Sequence, residues 1–424
     1  MVRRCAACGL LASSVSTAFL IPASPAFGQA PAAPDSILVR LERAEEQIAL
    51  LRQQLATQAQ SQVQAKSRVQ LEFWGRMLAN AWRNDGGVNS LDVPTIALPA
   101  GALVPQPTIG AAFRQTTLGI DVTGVQLGGA GLSASLSGDF FGGVQTGAGN
   151  RRLFPEPRLR IVRLAVKWPA AEIMVGQDVP VFAPVEPVSL ASVGTPNFAS
   201  AGNLWFWLPQ VRISLATTTS LSIGVQGAVL APWSNEDPAT TGNIDAAERS
   251  GRPSLQGRVR ARWHEAEIGV GGHVAWIRRN DASLARGAAL SATAEVPVGW
   301  FDLRGEIYQG RLLRGLGGGG VSQNFGTGAT PLQGVALDDR GGWGQLNLRL
   351  GSRLMVGGGC GVDDPRDGGL PARSRNQSCE GHLQLRPAGP IVLAFEGRRI
   401  ETKYLALSAP AKNTHLNLAI GVEF

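Results

Sequence analysis

From Ser67 to Phe424, apolar side chains recur at every second position in short runs, and the positions between them are polar, small or charged. Leu132, Ala134, Leu136 and Phe140 stand against Ser133, Ser135, Ser137 and Asp139. Val162, Leu164, Val166 and Trp168 stand against Arg163, Ala165 and Lys167. Val211, Ile213 and Leu215 alternate with Gln210, Arg212 and Ser214, and Leu346, Leu348 and Leu350 with Gln345, Asn347 and Arg349. A period of two is a strand with one greasy and one polar face. The last ten residues, HLNLAIGVEF, are such a strand, carried through to a terminal Phe424. A soluble sandwich and a membrane barrel both satisfy the alternation, so it leaves both open.

Three further features select the barrel. Short connections (GVQLGGAG, PAAE, ATTTS, EVPVG, RPAGP) alternate with long ones near residues 84–112, 143–157, 179–208, 232–254, 313–339 and 361–378. Tight turns at one end and long loops at the other are the pattern of outer-membrane barrels. Sixteen strand candidates fit into residues 67–424, and an even number returns both ends of the barrel to one side. Trp168, Trp263, Trp300 and Phe424 fall at strand ends beside short turns, where an interfacial aromatic belt sits. The expected fold is an all-β transmembrane barrel of about 16 antiparallel strands, preceded by a short N-terminal coiled-coil helix. An open edge cannot persist in lipid, so the last strand must close on the first. Its Glu423, Asn417 and His415 are then expected to face a wet lumen. A terminal strand ending on an aromatic residue also resembles the signal read by the barrel assembly machinery, which makes Phe424 the expected contact.

Glycine makes up 54 of 424 residues, about twice the usual share, and argues against a helical body. Only four lysines occur, so the net charge of +7 is nearly all arginine. Without a Lys-rich patch, nucleic acid is not an expected partner.

Arg3 and Arg4, the apolar run from Gly9 to Ala23 and the small residues after it read as a signal peptide, residues 1–28. The run is short and broken by Ser13, Ser14, Ser16, Thr17 and Pro22, which argues against an anchor. Residues 29–66 read as a periplasmic linker and coiled coil. Ile37, Leu41, Ala44, Ile48, Leu51 and Leu55 form a heptad seam, with Asp35 or Ser36 as N-cap. About three heptads are marginal alone, so the helix is expected to pair within an oligomer. The barrel itself is assigned to residues 67–424. Cys5 and Cys8 lie in the signal. Cys360 and Cys379 remain, and an oxidising compartment favours a disulfide between them; two free thiols are the alternative.

The lumen is read from parity. LQGRVRARWHE places Arg258, Arg260 and Arg262 on one face, opposite Leu255, Val259 and Trp263. Arg163, Lys167, Arg212 and Arg349 share the inward parity, as do Asp139, Glu295, Asp302 and Glu306. Two readings stand: a salt-bridge lattice that fills the wall, or a transverse field that favours anions. The segment 180–208, with Glu186 as its only charge, is long enough to be functional. It is expected to fold inward as the constriction, with Arg212 on the wall opposite Arg258, Arg260 and Arg262. A surface lid or a latch on a neighbouring subunit is the alternative. No H-x-x-x-H, no C-x-x-C beyond the signal and no G-x-S-x-G occurs, so neither catalysis nor a metal or cofactor is expected. GLGGGG at 315–320 lacks the G-K-[ST] of a phosphate loop and reads as a flexible loop.

Four stretches carry a family resemblance: FRQTTLGID, SGDFFGG, RLRIVRLAVKWPAAEIMVGQDVPVF and WLPQVRIS. Together with the preceding heptads, they resemble the DcaP-like family of trimeric outer-membrane porins. Its pattern runs approximately R-Q-S-R-L-G, D-F, R-x-A-Y-V-x-W, V-G-Q-T-W-S-x-F and P-Q-[VI]-R. The likeness covers the first half of the barrel. It implies a homotrimer in the bacterial outer membrane that passes small anions such as carboxylates. Thr117 and Ile161 stand where the family has arginine, and Asp178 where it has threonine. The expected function is passive diffusion of small hydrophilic solutes. The competing reading is a structural tether, with a plugged barrel in outer-membrane lipid and a coil reaching toward the cell wall.

Overall fold

The computed structural model of the chain describes residues 48, 62–64, 69–101, 107–142, 155–236, 244–328, 332–366 and 369–424. Two units are distinguished, Met1–Gln58 and Ala59–Phe424. The signal segment and, Ile48 aside, the heptads lie outside the described residues. The barrel belongs to the second unit.

Sixteen antiparallel strands form one closed sheet. They are β1 Gln70–Asn84, β2 in two segments (Thr108–Ala112 and Thr117–Leu127), β3 Ala130–Gly142, β4 Glu156–Lys167, β5 Ala171–Asp178, β6 Leu208–Ala216, β7 Leu221–Leu230 and β8 Ser254–Trp263. The circuit continues through β9 Ala266–Arg278, β10 Leu284–Val298, β11 Phe301–Arg311, β12 Asp338–Leu350, β13 Leu354–Asp363, β14 Arg373–Leu385, β15 Ile391–Tyr404 and β16 Ala411–Glu423. Strand β16 pairs with β1, from Arg76↔Glu423 to Asn84↔His415. Phe424 still belongs to the ladder, because its N–H and carbonyl exchange bonds of 3.0 and 2.9 Å with Gly75. A short strand, Gln62–Gln64, adds to the foot of β1.

The faces settle what the alternation left open. On β6, Val211, Ile213 and Leu215 are 47, 52 and 55% exposed, while Gln210, Arg212 and Ser214 are buried. Apolar side chains point out and polar ones point in around the circuit, the reverse of a soluble sandwich. Trp168, Trp263, Trp300 and Phe424 are exposed beside the short turns. At the other end the connections are mostly long, but two are short, 279–283 and 405–410.

The closing seam differs from expectation. His415 and Asn417 face inward but not water, being 0% and 1% exposed. Asn80 Nδ2 donates to Asn417 Oδ1 and to the Leu190 carbonyl, both at 3.0 Å. His415 Nδ1 and Asn413 Nδ2 reach Asn84 Oδ1 at 2.9 and 3.1 Å. The side chains form amide pairs across the seam because inward-folded connections cover them and exclude solvent. Glu423, nearer the turn end, is shared between Arg76 and Arg386 at 2.8 and 3.0 Å.

Cys360 and Cys379 are directly opposed on β13 and β14 and form a disulfide. The bridge lies within the ladder on the outward face. Gly361 to Asp363 remain paired beyond it, so it staples two strands rather than the neck of the loop between them. Alkylation of the unfolded, unreduced protein should leave both cysteines unlabelled; labelling of both would show the thiols to be free.

Candidate functional site

Strand β5 has eight residues; β4 rises past its end while β6 begins opposite Asp178, and between the two the chain turns inward. The segment 179–207 then crosses the lumen. Its backbone is held from all sides. Phe182 N–H donates to Gln256 Oε1 on β8 at 3.2 Å, and Ser291 on β10 donates to the Phe182 carbonyl at 2.5 Å. Gln345 on β12 takes both the N–H and the carbonyl of Val188, at 2.7 and 2.9 Å. Asn376 on β14 donates to the Ser200 carbonyl at 2.8 Å. Arg398 on β15 donates to Ser192 and Asn197. A loop interior is tolerated only where its backbone groups find partners, and here the polar inner wall supplies them.

The motif residues are largely this seat. Gln115, in the bulge between the halves of β2, accepts from the N–H groups of Val193 and Gly194, both at 2.8 Å, and donates to the Ala191 carbonyl at 2.8 Å. Gln210 donates to the Asp178 and Val179 carbonyls at 3.0 Å. Val181, Phe182, Ala183 and Leu204 pack with Leu230, Tyr308, Leu313 and Leu316 as an apolar core inside the barrel. The GLGGGG run belongs to that packing and not to an open loop. Gly315 and Leu316 to Gly320 are buried, and the N–H groups of Gly320 and Val321 donate to Asp339 and Asp363 at 2.6 and 2.9 Å.

At the short-turn side of the crossing segment lies a cavity of about 660 Å³. Its charged lining is Arg76, Arg160, Arg304 and Arg386 against Glu186, Glu295 and Glu423, with Trp207 beside Arg160. Arg76 and Arg386 share Glu423. Arg304 meets Glu295 at 3.0 Å and Asp302 at 3.1 Å. Arg160 is the least compensated. Its nearest carboxylate, Asp139, is 3.9 Å away and already bound by Arg158 through two bonds of 2.9 and 2.6 Å. Arg160 lies 4.4 Å from the Trp207 ring, Arg158 is 5.2 Å from that ring and 5.3 Å from Phe141, and Arg114 is 4.2 Å from Phe141. Guanidinium groups and aromatic rings thus alternate down one side of the lumen, an arrangement that holds like charges in line.

Of the charged residues expected at the lumen, Glu186, Glu295 and Glu423 line this cavity. Asp139 stands behind it. Arg258, Arg260 and Arg262 converge on one carboxylate, Glu267 of β9, each at 2.6 Å. Arg212 is buried against Asp178 at 2.9 Å, and Arg163 is 3.7 Å from the same carboxylate. With β6 and β8 separated by one strand, Arg212 shares a wall with Arg258 instead of facing it. Arg349 pairs with Asp302 at 3.2 Å. Lys167 is exposed at the foot of β4, opposite Glu172.

Glu267 escaped the parity reading, although the signal was present. A two-residue turn after Trp263 sets Arg262 opposite Glu267, and the pleat does the rest. Glu380, His382 and Glu396 place one ligand atom each within 4.8 Å, close enough for a metal ion. Each already has a partner: Gln345 and His382 bind Glu380, and Arg398, Ser189 and Asn197 bind Glu396. The cluster fits a bracket for the crossing segment.

No family model matches the chain, and no curated protein does. Solved structures match. The outer membrane channel DcaP of Acinetobacter baumannii has a TM-score of 0.68 at 14% identity, over 85% of this chain and 99% of that one. OmpT of Vibrio cholerae has a TM-score of 0.52 at 10% identity, over 85% and 100%. OprB of Pseudomonas putida has a TM-score of 0.50 at 11% identity, over 84% and 94%. At these identities the likeness is one of fold. The chain folds as a closed sixteen-strand barrel of the outer-membrane channel type, and its similarity to DcaP, met first in four short motifs, extends through the whole barrel.

Proposed function

We propose that the protein is an outer-membrane porin through which small hydrophilic solutes diffuse passively, with anions such as carboxylates favoured. The observation that carries this reading is the cavity beside the crossing segment. Four arginines against three glutamates line it, and Arg160 meets a carboxylate, that of Asp139, only in a long ion pair of 3.9 Å. An anion there gains from a field that water screens poorly in a narrow passage. The homotrimer, the periplasmic coil and delivery through Phe424 belong to the same proposal. The fold of the channel structures supports its outer-membrane setting.

Single-channel recording in planar bilayers tests the proposal. Discrete steps in groups of three are expected. Protein that inserts but stays silent would overturn the porin and favour the tether. Arg160→Ser is expected to lower the anion-to-cation permeability ratio, since one charge at roughly 5 Å in water-like screening changes anion occupancy about fourfold and cation occupancy in the opposite sense. The change should be largest in dilute salt, since screening reaches in to roughly 10 Å at 0.1 M. A reversal potential that does not move would remove Arg160 from the selectivity argument. Deleting residues 35–64 should leave trimers that form but dissociate more readily on dilution. Unchanged dissociation would mean that the heptads play no part in assembly.

A further inference from the structure

On the outward face of β8 to β12, toward the long-loop end, a groove of about 1170 Å³ is cut into the apolar wall. Its floor includes Gly257, Gly272, Ala288 and Leu290. Gly257 and Gly272 are opposite each other in register. A Cβ at either would meet nothing nearer than 3.8 Å, so neighbouring side chains do not require glycine at these positions. Their effect is to leave bare backbone and a trough where hydrocarbon must fill the space. Above the trough stand Arg286, Arg311 and Arg366, with Asp338 and the buried Asp339 as the carboxylates of the lining, three cations against two anions. Arg311 holds Asp338 through two bonds of 2.7 and 2.9 Å. Arg286 and Arg366 are exposed. An adjoining pair, Arg340 and Asp364 at 2.7 Å, adds no net charge.

We propose that this groove binds a phosphate-bearing lipid of the outer leaflet, its acyl chain in the trough and its phosphate between Arg286 and Arg366. The site rests on reading the barrel as a membrane channel. In that reading the trough lies at acyl-chain depth and the arginines at headgroup depth. Guanidinium forks match phosphate oxygens with two parallel bonds, and basic pockets on membrane-facing surfaces hold anionic headgroups. The charge excess selects this occupant over a second copy, because another apolar wall would bring no anion to the guanidinium groups.

The test uses the delipidated full-length protein in detergent. The probe is a bis-phosphorylated, acylated glucosamine disaccharide, compared with its dephosphorylated form and with inorganic phosphate. Native mass spectrometry should show the phosphorylated lipid retained and the dephosphorylated one lost. Arg286→Ser with Arg366→Ser should weaken retention about thirtyfold, and Gly272→Leu should weaken it by filling the trough. Equal retention of the dephosphorylated lipid, undiminished retention by both variants, or full competition by inorganic phosphate would overturn the site. So would spontaneous disulfide cross-linking of Gly272→Cys between copies. Single-channel steps should be unchanged in both variants; if the unaltered protein gives no steps, it is the porin reading that fails, independently of lipid retention.

Discussion

Glu267→Gln is expected to lower barrel stability by about 3–5 kcal/mol, the range for removing one partner of a buried ion pair. Arg258, Arg260 and Arg262 all end on its carboxylate, and the Arg258 side chain is only 3% exposed. With glutamine there, the guanidinium groups keep their mutual repulsion and lose their counter-charge. Arg262, 53% exposed at its side chain, contributes little to this loss because water screens it. Arg258 is held inside, where its remaining partner is the Thr293 hydroxyl at 2.8 Å. The urea midpoint of the folded barrel, followed by tryptophan fluorescence, measures the effect. Adding Arg258→Met to Glu267→Gln should recover part of it, since the buried charge then goes as well. A single variant as stable as the parent would show that solvent already neutralises the cluster. Selectivity should shift toward anions in Glu267→Gln, in the direction opposite to Arg160→Ser.

Gly202→Ala should loosen the crossing segment and enlarge the single-channel step. Gly202 has φ of +100°, and a Cβ there would run into the backbone of Gly342 on β12. Both contacting groups are main chain, so no side chain can swing away. Alanine in that region of φ is itself strained, at roughly 1–3 kcal/mol. The neighbouring contact, Gly361 against the Ala201 carbonyl, is equally close, so the segment has little room to slide along the wall. Undocking would release the Asn376 bond to Ser200 and open the lumen beside β12 to β14. Limited proteolysis near Trp205 should accelerate together with the conductance. If conductance and proteolysis both match the parent, the segment is not held at this point.

The strand plan was legible because the physics behind it is local. Period two, turn length and aromatic placement are each read within about ten residues, and they gave the number of strands, though not the short connections 279–283 and 405–410. The inward path of residues 179–207 was legible from length and composition. Its seat was not, since Gln115, Gln345, Asn376 and Arg398 lie on separate strands and meet only when the sheet curls. The charge pairs failed for a related reason. Parity tells that Arg212 and Arg258 point inward but not who waits there. Asp178 sits at a strand end, four residues along β5 from Met174, the register partner of Arg212, and Glu267 lies across a hairpin, four residues from Gly271, the register partner of Arg258. The residue proposed for selectivity is accordingly Arg160 and not the conspicuous Arg258, Arg260 and Arg262 run. That residue's distinction is a neighbour already occupied by Arg158, which no single strand records.

The hydrogen bonds between Gly75 and Phe424 have a consequence for biogenesis. The pair that shuts the cylinder joins chain segments separated by 347 residues at Arg76 and Glu423, while every other strand pairs with its immediate successor. Those successive hairpins can zip in order of synthesis; closure alone must wait for the last strand. A chain stopped short by even one strand would carry two raw edges, neither matched to the other in register or in side-chain complement. The amides of Asn80 and Asn84 would then find no Asn413, His415 or Asn417. Closure therefore acts as a strand count built into geometry, since only the sixteenth strand carries the partners that both free edges require.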